Sequence, residues 1–97
     1  MKSLDVLTEL EETIVARLAD ADPSSSYTAR LAAAGVSRVA QKVGEEGVEV
    51  AIAAASGASD DELLSESADL LYHLTVLLAV RGLSLTDVAR VLAARQA

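Results

Sequence analysis

From Val36 to Arg81 apolar residues return at steps of three and four, and the pattern breaks once, at Ser56-Gly57-Ala58. That period belongs to α-helices and not to strands. The first of the two segments, Val36 to Ser56, carries Val36, Val39, Ala40, Val43, Val50 and Ala54 on one face, while Val48 and Ile52 project to another side. A helix that is apolar on two sides is buried on two sides, either centrally in a bundle or at an oligomer contact. Its glycines, Gly44 and Gly47, flank Glu45-Glu46 and cost about 1 kcal/mol each relative to alanine in a helix interior. Either close helix packing or room for a ligand beside the carboxylates accounts for them. The second segment opens at Ser59-Asp-Asp-Glu62, which has capping-box spacing. It continues through Leu63, Leu64, Leu70, Leu71, Leu74, Leu77 and Leu78 to Arg81, and Gly82 ends it.

The flanks follow the same rule. Leu4, Leu7, Leu10, Ile14 and Leu18 predict a first amphipathic helix, capped by Ser3 and ending near Asp20. Asp22-Pro-Ser-Ser-Ser26 reads as a loop, and Tyr27 to Ala34 as a short helix stopped by Gly35. Ser84-Leu-Thr-Asp87 starts a last short helix through Val88, Val91 and Leu92. With five Gly, a single Pro and no strand-like alternation, the expectation is an all-α bundle of four to five helices. Residues 1–97 suffice for a single domain around one core, which dimerisation would complete.

The formal charge of −7 leaves no basic surface of the kind that nucleic acid requires. The absence of cysteine excludes disulfides and thiolate zinc sites. Met-Lys-Ser-Leu-Asp lacks the apolar core of a signal peptide, and Leu70 to Val80 is too short a run to span a bilayer. No membrane partner and a cytoplasmic location are therefore expected.

Two acidic pairs, Glu46/Glu49 and Glu66/Asp69, stand at the same three-residue spacing in the two long segments. Residues three apart share a helix face. At about 100° per residue, Lys42, Glu46 and Glu49 fall on one strip flanking the apolar face, with Glu45 about a quarter-turn further out. Glu66, Asp69 and His73 share a strip on the partner helix, and Tyr72 points elsewhere. If the two apolar faces pack together, both strips reach the edge of one interface. A close pair of carboxylates there costs up to about 4 kcal/mol at 4 Å with an effective dielectric near 20. A cation removes that cost, and all-oxygen ligation selects Mg²⁺, with Mn²⁺ as the alternative. The bland alternative is a set of solvated charges on helix surfaces.

Three blocks narrow this further: Ser26-Tyr27-Thr28, Ala40-Gln41-Lys42-Val43-Gly44-Glu45-Glu46-Gly47-Val48-Glu49, and Glu66-x-x-Asp69-Leu70-Leu71-Tyr72-His73-Leu74. Together they resemble the phosphoribosyl-ATP pyrophosphohydrolase family of histidine biosynthesis, within the wider all-α nucleoside triphosphate pyrophosphohydrolases. The likeness runs over nearly the whole chain. It implies Mg²⁺-dependent cleavage of the α–β phosphoanhydride of 1-(5-phosphoribosyl)-ATP, giving phosphoribosyl-AMP and pyrophosphate, by a dimeric helical enzyme. In many organisms the family domain is fused to the cyclohydrolase of the next step, for which 97 residues leave no room, so the stand-alone form is expected.

Under that resemblance Glu46, Glu49, Glu66 and Asp69 are the expected metal ligands. Glu45 is the candidate base toward water, with ligand and solvated residue as its other readings. Lys42 is a candidate phosphate contact; its bland role is an ion pair with Glu46 one turn on. Arg38, a further turn back, is a candidate for the same work or an exposed arginine. His73 is a substrate-side candidate or a satisfied structural histidine. Tyr27 and Thr28 are candidates to touch base or ribose, against packing and helix capping. Two rival functions stand beside this one: a house-cleaning pyrophosphohydrolase acting on non-standard nucleotides, and a non-enzymatic helical dimerisation module with Val48 and Ile52 as its partner surface.

Overall fold

Three of the five helices in this chain, the second, fourth and fifth, start at a serine cap. The computed structural model describes residues 2–20 and 22–97, with side chains from Leu4 onward at the N-terminus, and contains five helices. They are α1 (Lys2–Asp20), α2 (Tyr27–Ala33), α3 (Val36–Ala55), α4 (Asp60–Val80) and α5 (Leu85–Gln96), with no strand among the described residues. Helix α1 begins at Lys2, ahead of the Ser3 expected to cap it; the Ser3 side chain lies outside the described residues.

Ser26 is extended and its hydroxyl accepts the Ala29 N–H at 3.0 Å, which opens α2. Before it, the Asp22 carboxylate accepts from the Ser24 N–H and hydroxyl at 3.0 and 2.8 Å, and these bonds hold its pKa below the ordinary value. Ser59 accepts the Glu62 N–H at 3.2 Å, the serine half of the expected capping box. The complete reciprocal box forms at α5, where Ser84 accepts the Asp87 N–H at 3.2 Å and Asp87 accepts the Ser84 N–H at 2.9 Å.

Gly57 and Gly82 end α3 and α4 with φ of 75° and 73°, a conformation that costs other residues about 1–2 kcal/mol. The chain doubles back at each, closed by Ala58 N–H to Ala53 C=O at 3.1 Å and Leu83 N–H to Leu78 C=O at 2.8 Å. The first turn lays α4 antiparallel against α3, the most extensive helix contact in the molecule.

The core gathers one residue from each of four helices: Ile14 from α1, Leu31 from α2, Val39 from α3 and Val76 from α4. Leu10, Leu18, Tyr72, Leu77 and Val80 pack around them. This core lies toward the end of the α3–α4 hairpin away from its turn. Helix α5 buries none of its residues and is tied to α1 by Leu85 N–H donating to the Glu11 carboxylate at 2.6 Å.

The expected apolar face of α3 is rotated in the structure. Val36, Ala40 and Ala54 are exposed, and the stripe covered within the chain runs Val39, Val43, Glu46, Val50, Ala53. On α4 it runs Leu63, Glu66, Leu70, His73, Leu77, Val80. Both are seven-residue repeats of the kind that seats two helices along a seam. Helix α4 as a whole, unlike Leu70–Val80 alone, is long and apolar enough by length and composition to cross a membrane. Here it packs against α3 and α1, with Glu66 and His73 in its seam.

Candidate metal centre

Two of the seam positions that a coiled pair of helices fills with aliphatic side chains hold Glu46 and His73, 5% and 7% exposed. A carboxylate placed there needs a strong hydrogen bond to offset its lost hydration. The Glu46 Oε1 lies 2.5 Å from His73 Nδ1. That nitrogen also faces the Asp69 carbonyl at 3.0 Å. Both neighbours are acceptors, so Nδ1 carries the proton, and in the neutral ring Nε2 accepts from the Tyr27 hydroxyl at 2.9 Å. Glu46 therefore sits inside the seam and not on its flank. The helical wheel misplaced it because the seam turns with a seven-residue repeat anchored at Val39.

Around Glu46, two of the other three expected ligands, Glu66 and Asp69, converge. One carboxylate oxygen from each of Glu46, Glu66 and Asp69 lies within 4.8 Å of the others. Glu49, exposed, stands beside Glu66, one turn along α3 from the buried member of the set. The burial is graded: Glu46 buried, Glu66 half-buried, Glu49 and Asp69 at the solvent side. The Glu66 Oε2 is buried without a hydrogen-bond partner among the described residues. An unpartnered carboxylate oxygen in a group of converging carboxylates suits a proton or a hard cation. The donor set fits Mg²⁺ or Mn²⁺.

The Glu66 carboxyl is pushed above its ordinary pKa, first by a hydrogen bond with the Glu49 carboxyl, which requires a proton on one of them. Burial and the charges of Glu49, Asp69 and Glu46 push it the same way. The folded chain thus holds this proton more tightly than the unfolded chain does. In metal-free protein its contribution to stability is present below the ordinary carboxylate pKa and is lost as pH rises through the folded value. Glu66→Gln is expected to melt above wild type at neutral pH in chelator, with a flatter pH dependence above the ordinary carboxylate range. Stabilisation by Mg²⁺, expected of the wild type, should be lost as well. Thermal melts with and without Mg²⁺ check both.

The other expected site residues separate. Glu45 is 48% exposed and accepts from Gln41 Nε2 at 3.2 Å. Lys42 Nζ lies 4.0 Å from this same carboxylate, so its ion pair is with Glu45, not the Glu46 of the four-residue rule. Arg38 is exposed. Tyr27 is 43% exposed, its ring stacked on Tyr72 at 6.2 Å and covered by Arg30 at 5.6 Å. Thr28 is fully buried and hydrogen-bonded to the Tyr72 hydroxyl. Packing therefore describes Thr28, and Ser26 does the capping. A Cβ at Gly44 or Gly47 would meet no described atom within 4 Å, so within this chain neither glycine serves close helix packing. Beside the acids, Glu49, Ile52, Ser56, Glu62 and Glu66 line a shallow cleft of about 230 Å³ toward the α3–α4 turn.

Sequence reasoning missed the pairing of Tyr27 with His73, 46 residues apart, and of Thr28 with Tyr72, 44 apart. No local spacing links such partners. The one available signal was that Tyr27-Thr28 and Tyr72-His73 are both adjacent polar pairs beside apolar helix faces.

Comparison with known proteins supplies what geometry does not. The family model described as phosphoribosyl-ATP pyrophosphohydrolase matches residues 7–96. The chain is 61% identical over 77 residues to the histidine biosynthesis bifunctional protein HisIE of Vibrio cholerae, covering 79% of this chain and 36% of that one. It is 57% identical over 93 residues to the protein of that name from Photobacterium profundum, covering 96% and 44%. It is 55% identical over 85 residues to the phosphoribosyl-ATP pyrophosphatase of Erythrobacter litoralis, covering 88% and 80%. The chain thus spans about four tenths of the length of the bifunctional relatives.

Proposed function

The chain belongs to the phosphoribosyl-ATP pyrophosphohydrolase family, and on that premise we propose that it hydrolyses the α–β phosphoanhydride of 1-(5-phosphoribosyl)-ATP to phosphoribosyl-AMP and pyrophosphate. The observation that carries the reading is the convergence of the Glu46, Glu66 and Asp69 oxygens within 4.8 Å, with Glu66 Oε2 left unpartnered among the described residues. Glu46, Glu49, Glu66 and Asp69 would hold Mg²⁺, or Mn²⁺ in its place. When bound, the metal supplies charge neutralisation on the phosphates and a lowered pKa for bound water.

The protein's own groups do the rest. Water adds to one phosphorus of the α–β link as the bridging P–O bond breaks and the leaving phosphate departs. Glu45, exposed on α3 beside Glu46 in the chain and oriented by Gln41 and Lys42, takes the proton of that water. Lys42, half-buried, and Arg38 one turn earlier hold phosphate oxygens. Tyr27, 43% exposed, offers base or ribose the part of its ring that Tyr72 and Arg30 leave uncovered. The reading includes a cytoplasmic homodimer, supported by Val48 and Ile52, 58% and 59% exposed on a helix whose other side is already covered.

Pyrophosphate release from phosphoribosyl-ATP and from a panel of free nucleoside triphosphates tests the assignment. Release from phosphoribosyl-ATP is expected to stop in chelator and resume with Mg²⁺, with free triphosphates slower by about 100-fold or more. Turnover of several triphosphates and none of phosphoribosyl-ATP would assign a house-cleaning enzyme. No release and no Mg²⁺ or Mn²⁺ binding would leave a helical dimerisation module.

A further inference from the structure

We propose that His73 and Tyr27 are positioning residues. A hydrogen-bond chain from Tyr27 Oη to His73 Nε2, and from His73 Nδ1 to Glu46 Oε1, fixes the Glu46 carboxylate toward the metal and couples the metal centre to the start of α2. The proposal rests on the metal-centre reading above.

Glu46 is the most buried of the four acids, and among the described residues its one close polar partner is His73 Nδ1 at 2.5 Å. A carboxylate in an apolar seam has few contacts to set its orientation, so the group that donates to it decides where its oxygens point. The imidazole is itself held on three sides. Its Nδ1 is within 3.0 Å of the Asp69 carbonyl, which ties the ring to the backbone of another acid of the set. The Tyr72 ring meets it edge-on at 5.0 Å and 86°, and Tyr72 is anchored by buried Thr28. Tyr27 meets it edge-on at 5.9 Å and 87°, with its hydroxyl 2.9 Å from Nε2.

Tyr27 stands on the first residue of α2, whose backbone is set by the Ser26 cap. Its ring is already held by Tyr72 on one side and Arg30 on another. Packing alone would be served by phenylalanine. The hydroxyl adds a fixed partner for Nε2, and a fixed Nε2 fixes the nitrogen that faces Glu46. Removing that hydroxyl leaves the fold intact and lets the ring, and Glu46 with it, sample other orientations. Metal affinity falls as a result, without any ligand having been changed.

The test titrates Mn²⁺ alone into wild type, Tyr27→Phe, His73→Gln and His73→Asn, reading free Mn²⁺ by electron paramagnetic resonance, with melts in chelator as a measure of fold. Tyr27→Phe is expected to keep the metal-free melting temperature and to bind Mn²⁺ about 10-fold more weakly. His73→Gln, which reaches toward Tyr27 but withdraws the donor from Glu46, is expected to bind about 10- to 100-fold more weakly. His73→Asn, whose amide N–H falls near the Nδ1 position, should recover most of the affinity. Wild-type affinity in folded Tyr27→Phe or His73→Gln overturns the relay, and so does an Asn variant no better than Gln. A wild-type protein that binds no Mn²⁺ overturns the metal-centre reading and the relay with it.

Discussion

Val48→Asp combined with Ile52→Asp is expected to halve the mass of the protein in solution. Both side chains stand on α3, more than half exposed, on the side away from the seam with α4. The single chain leaves other large apolar side chains uncovered as well, among them Leu4, Val6, Val15, Val91 and Leu92. Its fully covered aliphatic core, by contrast, is little more than Ile14, Leu31, Val39 and Val76. A two-fold contact uses the same patch on each copy, so the double substitution removes four side chains per dimer. At about 1.5 kcal/mol or more each, their loss weakens association by about 10⁴-fold, before the repulsion among the new charges is added. Size-exclusion chromatography with light scattering in metal-free buffer reads the outcome. An unchanged dimer mass would move the interface to another apolar surface, such as the groove of about 340 Å³ between α1 and α5 lined by Leu4, Leu7, Leu85, Val88 and Leu92.

The helices were legible because their signals are local. Serine caps at Ser26, Ser59 and Ser84 and the left-handed glycines at Gly57 and Gly82 each act within a few residues of their own position. Three- and four-residue steps then place the apolar positions between them. The convergence of Glu46, Glu66 and Asp69 was partly legible, since the two i, i+3 pairs lie at matching distances on either side of the short turn between antiparallel helices.

The phase of the seam was not legible. Helix α3 offers Val36, Ala40 and Ala54 as plausibly as Val43 and Ala53 for covering, and only contact with α4 and the Val39 cluster chooses between them. That choice moves Glu46 from flank to interior, and so makes His73 its partner. Lys42 goes to Glu45 for a related reason, because Glu46 has turned inward beyond the reach that the four-residue rule assumes. Thr28 illustrates the limit from the other side. As a short polar residue at a helix start it suggests capping or ligand contact, yet its hydroxyl is spent on a tyrosine 44 residues away.

The claim that the acids between α3 and α4 hold the metal for phosphoanhydride cleavage is tested most directly by Glu49→Gln together with Asp69→Asn. Both residues are exposed, and both changes keep shape while removing charge, so the helical content by circular dichroism should match wild type. The double variant retains Glu46 and its bond to His73, leaving the buried part of the seam undisturbed. What it lacks is half of the negative charge that would hold the cation against the substrate's phosphates. The expected result is a fall in kcat/KM for Mg²⁺-dependent pyrophosphate release from phosphoribosyl-ATP of about 10³-fold or more, equivalent to about 4 kcal/mol of transition-state stabilisation. Full retention of that release by the folded double variant would contradict the assignment.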